Sequence, residues 1–234
     1  MTTDDRPPRR RAKPGTGLRD KILAAAVAIF AEHGVHGSSV RAIAKRVGCN
    51  LAALNYHFGS KDELALCVLE QALGPMQARI ALLDRYEAEA CGTPLTVERI
   101  IEAIVRPSVT LDRDAEGGRP LIRLLQQARA IPTVETSRFF DTQFNPMILR
   151  FVEAFSRALP GHDRAELFWR YNFITGSLLH VLIDSDPGFR RLKRISDDRC
   201  DTDDEEALIA QLVAFGAAGF RAPAPAPKPM KAMA

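Results

Sequence analysis

The chain has 234 residues, 46% hydrophobic and 26% charged, with a formal net charge of +3, a composition that fits a folded globular protein and excludes collagenous and low-complexity classes. Its longest unbroken apolar run, residues 22–31, is far too short to cross a bilayer, and the Arg-rich start before it lacks a small-residue cleavage pattern, so neither a membrane span nor a signal peptide is expected. Cys49, Cys67, Cys91 and Cys200 have no metal-ligand or redox spacing and are expected to be free thiols in a reducing cytoplasm.

Taken in order, residues 1–17 combine Arg, Pro and Gly and are expected to form a disordered basic arm. A first helix is predicted over residues 18–33, with Ile22, Ala25, Ala26, Ile29 and Phe30 inward and Gly34 ending it. Val40, Ile43, Ala44 and Val47 then place an apolar stripe on a short helix. Gly48 follows, where a chain leaving a helix often needs positive φ. Asn50 can cap a third helix, on which Leu51, Leu54 and Phe58 share one face while Ala52, Ala53, Asn55 and Tyr56 occupy the other. Ser60 and Glu63 have capping-box spacing and open a linking helix over residues 61–73, with a break at Gly74-Pro75. Further helices are predicted to about residue 90, over 96–110 with Pro107 ending or bending it, and over 120–130. Another spans 134–159, kinked at Pro146, and the last two cover 164–183 and 203–220. Polar connectors lie at 112–119 and 184–201, and residues 222–234 read as a disordered tail. No alternating strand pattern or repeat appears, so the fold class is all-α.

Two short helices joined by a tight turn make either an ordinary αα-hairpin or a helix-turn-helix whose second helix enters the DNA major groove. Charge decides between them. Residues 1–61 carry 11 Lys and Arg against 4 Asp and Glu, a net +7, whereas the other 173 residues carry 21 against 25, a net −4. Positive charge concentrated on the hairpin segment is what phosphate binding requires. The basic arm admits two readings, a solvated tail or a segment that tracks the DNA backbone or minor groove.

The run Ile22-Leu23-Ala24-Ala25-Ala26 to Phe30, then Gly34, Ser39-Val40-Arg41, Ile43-Ala44, Val47-Gly48 and Leu54-Asn55-Tyr56-His57-Phe58 with Lys61 and Leu64, resembles the N-terminal domain of TetR-type transcriptional repressors. That resemblance implies an N-terminal three-helix domain over 18–61 and a ligand-binding and dimerisation domain over 74–221. It implies double-stranded DNA with a pseudo-palindromic operator as partner, a homodimer, a small apolar effector, and a bacterial cytoplasmic, nucleoid-associated location. The candidate DNA contacts are Ser39, Arg41, Asn50, Leu51, Ala52, Asn55, Tyr56, His57 and Lys61, the lysine meeting phosphate. One departure stands out: the family's usual Tyr is Asn55 here, a carboxamide that could pair with adenine. Residues 50–61, Arg123-Leu-Leu and Glu166-Leu-Phe-Trp-Arg are similar to a fatty-acid-responsive branch, which implies a long-chain acyl group or its CoA ester as effector.

In the C-terminal part, aromatic residues at helical spacing are expected to be core or to line an elongated apolar cavity. The candidate lining is Arg123, Gln126, Gln127, Arg129, Phe140, Phe144, Met147, Trp169 and Phe173, with Asn172 or His180 as further polar groups. Gly176, Ala207, Ala210, Ala214, Gly216, Ala217, Ala218 and Gly219 are small enough for close helix approach in a dimer, or pack within the protomer. The linking helix from Lys61, shared by both parts, is the expected transmitter between ligand and DNA. Asp197, Asp198 and Asp201 spell the D-D-x-x-D spacing of all-helical magnesium-dependent diphosphate enzymes. No second acidic cluster accompanies them, so neither catalysis nor a metal or cofactor is expected. A constitutive DNA-binding protein with a purely structural C-terminal part is the other reading.

Overall fold

A computed structural model describes residues 17–110, 118–184 and 190–225. The expectations for the arm at 1–16, for most of the 112–119 connector, for 185–189 and for the tail at 226–234 lie outside the described residues. The described chain is helical throughout and contains no strand.

Helix α1 (Leu18–Gly37) runs four residues past the predicted end because Gly34, at φ 73° and ψ 163°, kinks it without stopping it. Helix α2 (Val40–Val47) is capped by Ser39, whose hydroxyl accepts from the Ala42 amide, and stops at Gly48 in the left-handed region. Helix α3 (Leu51–Phe58) begins at Asn50, whose carboxamide oxygen accepts from the Ala53 amide at 2.7 Å. Ile22, Phe30, Ile43, Leu54 and Leu64 are fully buried between these helices. The apolar stripes therefore fold the segment by converging on one centre.

Helix α4 (Lys61–Leu69) opens with the predicted capping box, Ser60 accepting from the Glu63 amide while Glu63 accepts from the Ser60 amide. The break falls earlier than expected. A tight 3₁₀ turn at Glu70–Ala72 leads into α5 (Leu73–Glu89), and Pro75 sits in the first turn of that helix, where its missing amide costs nothing. Helices α6 (Val97–Val109), α7 (Gly118–Ala130) and α8 (Val134–Phe139) follow. Pro107 lies near the end of α6 without breaking it. A π turn at Phe140–Phe144 joins α8 to α9 (Asn145–Ala158), directly before Pro146, which cannot donate to the preceding turn. Helix α10 (Arg164–Asp184) is followed by a short unpredicted helix, α11 (Arg191–Ile195), whose first amides bond to the buried Asp184 carboxylate. Helix α12 (Glu205–Arg221) is capped by Asp204 and packs along α6 and α10. Phe155 and Phe220 stack at 3.9 Å between ring centres in the C-terminal core.

Candidate nucleic-acid interface and internal cavity

Helix α3 buries Leu54 and Phe58 and leaves Ala52, Asn55, Tyr56 and His57 facing solvent. Tyr56 is 87% exposed, and its ring meets His57 edge-on at 5.5 Å. A phenol so exposed gains nothing for stability, so it is free to contact another molecule. Leu51 is half-buried at the start of the helix. Arg41, Lys45 and Arg46 are exposed on α2. The Lys61 ammonium reaches back and donates to the Ser38 carbonyl at 3.4 Å, which sets a cation beside the N-terminus of α2. Ser39 and Asn50 are both exposed and both act as caps. Each spends one acceptor on the backbone and keeps its N–H or O–H hydrogens for an outside partner. Every predicted DNA-contact residue except the half-buried Leu51 and Lys61 is therefore exposed, on α2, α3 or their caps.

Helices α5, α6, α7, α9 and α10 enclose a cavity of about 450 Å³, within the range of small-molecule sites. Leu121, Ile122, Leu125, Met147, Ile148 and Leu179 give it apolar walls. Its polar groups are Arg79, Ser108, Arg129, Tyr171, Asn172 and Thr175. Arg79 donates to Ser108 Oγ through Nε at 3.0 Å and Nη2 at 2.6 Å. Arg129 is exposed at the rim, 5.3 Å from the Phe140 ring centre and 5.9 Å from that of Phe144. Burial pushes the Tyr171 phenol above its ordinary value, so it is a neutral donor near pH 7. A second cavity of about 450 Å³ opens where the end of α1 and α4 meet α7 and α8. Gln127 lines it and donates from Nε2 to the Ala31 carbonyl at 3.2 Å, so α7 is tied directly to the first helix.

Residues 22–68 match the family model for bacterial regulatory proteins of the tetR family, and residues 102–219, half of the chain, match the tetracyclin repressor-like C-terminal domain. The chain belongs to the TetR family. Among curated relatives, the transcriptional regulator UidR of Escherichia coli K12 is 30% identical over 104 residues, which is 44% of this chain and 47% of UidR. The chain thus spans less than half the length of the curated relatives it matches first. Two solved structures of transcriptional or degradation regulators align over nearly their whole length. The fatty acid degradation regulator FadR of Bacillus halodurans has a TM-score of 0.59 and 18% identity over 89% of this chain and 99% of its own. FadR of Bacillus subtilis, solved with stearoyl-CoA, has a TM-score of 0.57 and 16% identity over 86% of this chain and 98% of its own. At these identities the likeness is one of fold.

Of the cavity residues expected from sequence, the structure brings Arg129, Phe144 and Met147 to the wall, and Asn172 with them. The others are corrected. Gln126 instead donates to the Leu179 carbonyl on α10, Gln127 faces α1, and Arg123 is exposed. Phe140 packs on Phe139 and Phe144 behind the wall. Trp169 and Phe173 are each 60% exposed and stack on one another, because they lie on the side of α10 opposite its buried Tyr171, Ile174 and Leu178. His180 is exposed on that same outer side. Sequence reasoning missed Arg79 and Ser108, and reached Tyr171 only as one of the aromatic residues expected in the core or along a cavity. Arg79 carried a signal: it occupies the buried stripe of α5 with Met76, Leu83 and Tyr86, where a cation is out of place.

The outer faces of α10 and α12 expose large aromatics beside small residues. Trp169, Phe173 and Gly176 are exposed on α10, and Ala207, Ala210, Ala214, Phe215, Ala218 and Gly219 on α12. Gly216 and Ala217 belong to the protomer core instead; a side chain at 216 would meet Ile174 Cδ1 at 2.9 Å. The acidic triplet spreads out: Asp197 and Asp198 sit in a left-handed turn, while Asp201 accepts from Lys193 Nζ at 2.6 Å. No group of three metal-ligating side chains occurs among the described residues, and no described helix is long and apolar enough to cross a membrane.

Proposed function

We propose that this chain is a homodimeric repressor that binds a pseudo-palindromic operator through α3 and releases it when a small, largely apolar effector enters the α5–α10 cavity. The observation that carries this reading is the position of α7. One face of that helix walls the cavity with Leu121, Leu125 and Arg129, while the Gln127 amide on another face holds the first helix of the DNA-binding part. A ligand that shifts α7 therefore acts on α1 directly, in addition to the expected route through α4. Association is proposed through the outer faces of α10 and α12, which expose the Trp169, Phe173 and Phe215 rings. A two-fold dimer would present its α3 helices about 34 Å apart, one turn of DNA.

Asn55, Tyr56 and His57 are proposed to reach base edges or phosphates, Ser39 and Asn50 to donate to the backbone, and Arg41 and Lys61 to neutralise phosphates. The mechanism is a population shift: the effector favours a dimer whose helix spacing no longer fits the operator, with coupling of about 1–3 kcal/mol, or about 5- to 150-fold in affinity. The stearoyl-CoA bound by FadR of Bacillus subtilis and the apolar cavity here support a fatty-acyl effector. Fluorescence anisotropy on an operator duplex, with and without dodecanoate or dodecanoyl-CoA, tests this. Release by either supports the reading, tight binding indifferent to both favours a constitutive DNA-binding protein, and failure to bind DNA at low salt removes it.

A further inference from the structure

Arg79 poses a problem that the fold does not solve. Its guanidinium is deeply surrounded by protein although the residue retains accessible surface, the combination expected of a side chain facing an internal cavity. It has five N–H donors, and its one hydrogen-bond partner among the described residues is the Ser108 hydroxyl. No Asp or Glu lines the cavity, and Arg129 brings a second positive charge to it. Several arginines elsewhere are paired: Arg99 with Glu89, Arg106 with Glu102 and Glu206, Arg150 with Glu87, Arg221 with Glu98. The buried Arg170 is satisfied by the Phe220 and Ala222 carbonyls. In the cavity, by contrast, no carboxylate among the described residues answers Arg79, and Arg129 has the Phe140 and Phe144 rings beside it. A buried guanidinium without a counter-charge is costly to fold, and it stays protonated even though burial pushes it down from its ordinary value.

We infer that the cavity selects an effector with a free carboxylate, held by Arg79 with Ser108 and the Tyr171 hydroxyl beside it, and an apolar body against Leu121, Leu125, Met147 and Leu179. This deepens the effector reading above and rests on it. The chemistry discriminates within that class. A carboxylate offers two oxygens in the plane that a guanidinium fork matches, and its single charge neutralises Arg79 without bringing more into an apolar chamber. An acyl-CoA would instead set an uncharged thioester carbonyl against the same cation, and a long-chain alcohol would leave the charge unanswered.

The test is calorimetric titration of the full-length protein with dodecanoate, dodecanol and dodecanoyl-CoA, repeated with Arg79→Met and Ser108→Ala. The wild type should bind dodecanoate at least about tenfold tighter than dodecanol or dodecanoyl-CoA, as expected for hydrogen bonds to a charged group. Arg79→Met should bring acid and alcohol to equal affinity without lowering the melting temperature of the free protein, since it removes an unpaired buried charge. Ser108→Ala, a small change outside the ligand's apolar contacts, should reduce the acid preference partially. Equal binding of acid and alcohol by the wild type overturns the inference, as does acid preference that survives Arg79→Met or acyl-CoA binding tighter than the free acid. Failure of all three probes to bind removes the effector reading itself, and the headgroup assignment falls with it.

Discussion

Replacing Gln127 by Leu should separate stability from signalling. The side chain spends Nε2 on the Ala31 carbonyl at 3.2 Å, while its Oε1 is buried without a partner. Losing the neutral hydrogen bond costs about 0.5–1.5 kcal/mol, and removing the orphaned oxygen returns about 1–3 kcal/mol. Leu fills a similar volume beside Leu66, Leu69 and Leu124 in the second cavity. The two contributions oppose, so unfolding free energy should lie between about 0.5 kcal/mol below and about 2.5 kcal/mol above wild type. The mechanical link from α7 to α1 is nevertheless cut. If that bond carries about 1 kcal/mol of the coupling, the factor by which dodecanoate weakens operator binding should fall about fivefold. Operator anisotropy with and without dodecanoate reads the coupling, and urea denaturation reads the stability. An unchanged coupling factor in a stably folded Gln127→Leu protein would refute a role for this contact and leave α4 as the transmitter.

Lys61→Ala should weaken binding to every duplex alike and lower the salt slope by about one unit, because one phosphate contact is lost; an undiminished slope would confine Lys61 to its Ser38 bond. Gly48 and Gly59 both have positive φ, but a side chain at 48 meets open space whereas one at 59 collides with Glu63 and breaks the capping box. Gly48→Ala should therefore cost about 1–2 kcal/mol and Gly59→Ala about 1 kcal/mol more, by denaturation. The hydrogen bonds and charge of Arg150, with Arg157 beside it, hold Glu87 below the ordinary carboxylate range. A depressed folded value stabilises above the unfolded one and is lost as pH falls through it, so wild-type melting temperature should drop in acid more steeply than that of Glu87→Gln. Parallel acid profiles would contradict that assignment.

The hairpin was legible because local chemistry dictates it: Ser39, Gly48, Asn50 and the Ser60–Glu63 pair fix each helix end, and the stripes between them leave one packing solution. The cavity was less legible, since its walls come from five helices and depend on rotation. A phase of about 100° per residue decides whether a residue faces in or out, so Phe144 and Met147 reach the wall while Trp169 and Phe173 turn outward. Arg79 shows that the stripe itself could have been read further: a cation in register with Met76 and Leu83 has to be buried. Ser108 gave no such sign, because a hydroxyl at a buried helical position is common and acquires meaning only beside Arg79.

Selection of duplexes from a random-sequence pool by the purified protein tests the central claim most directly. The account predicts enrichment of an inverted repeat with half-sites about one helical turn apart, and loss of that enrichment when Asn55 and Tyr56, the exposed polar residues of α3, are both changed to Ala. Failure to enrich any sequence, with no retention of DNA even at about 50 mM salt, would contradict it.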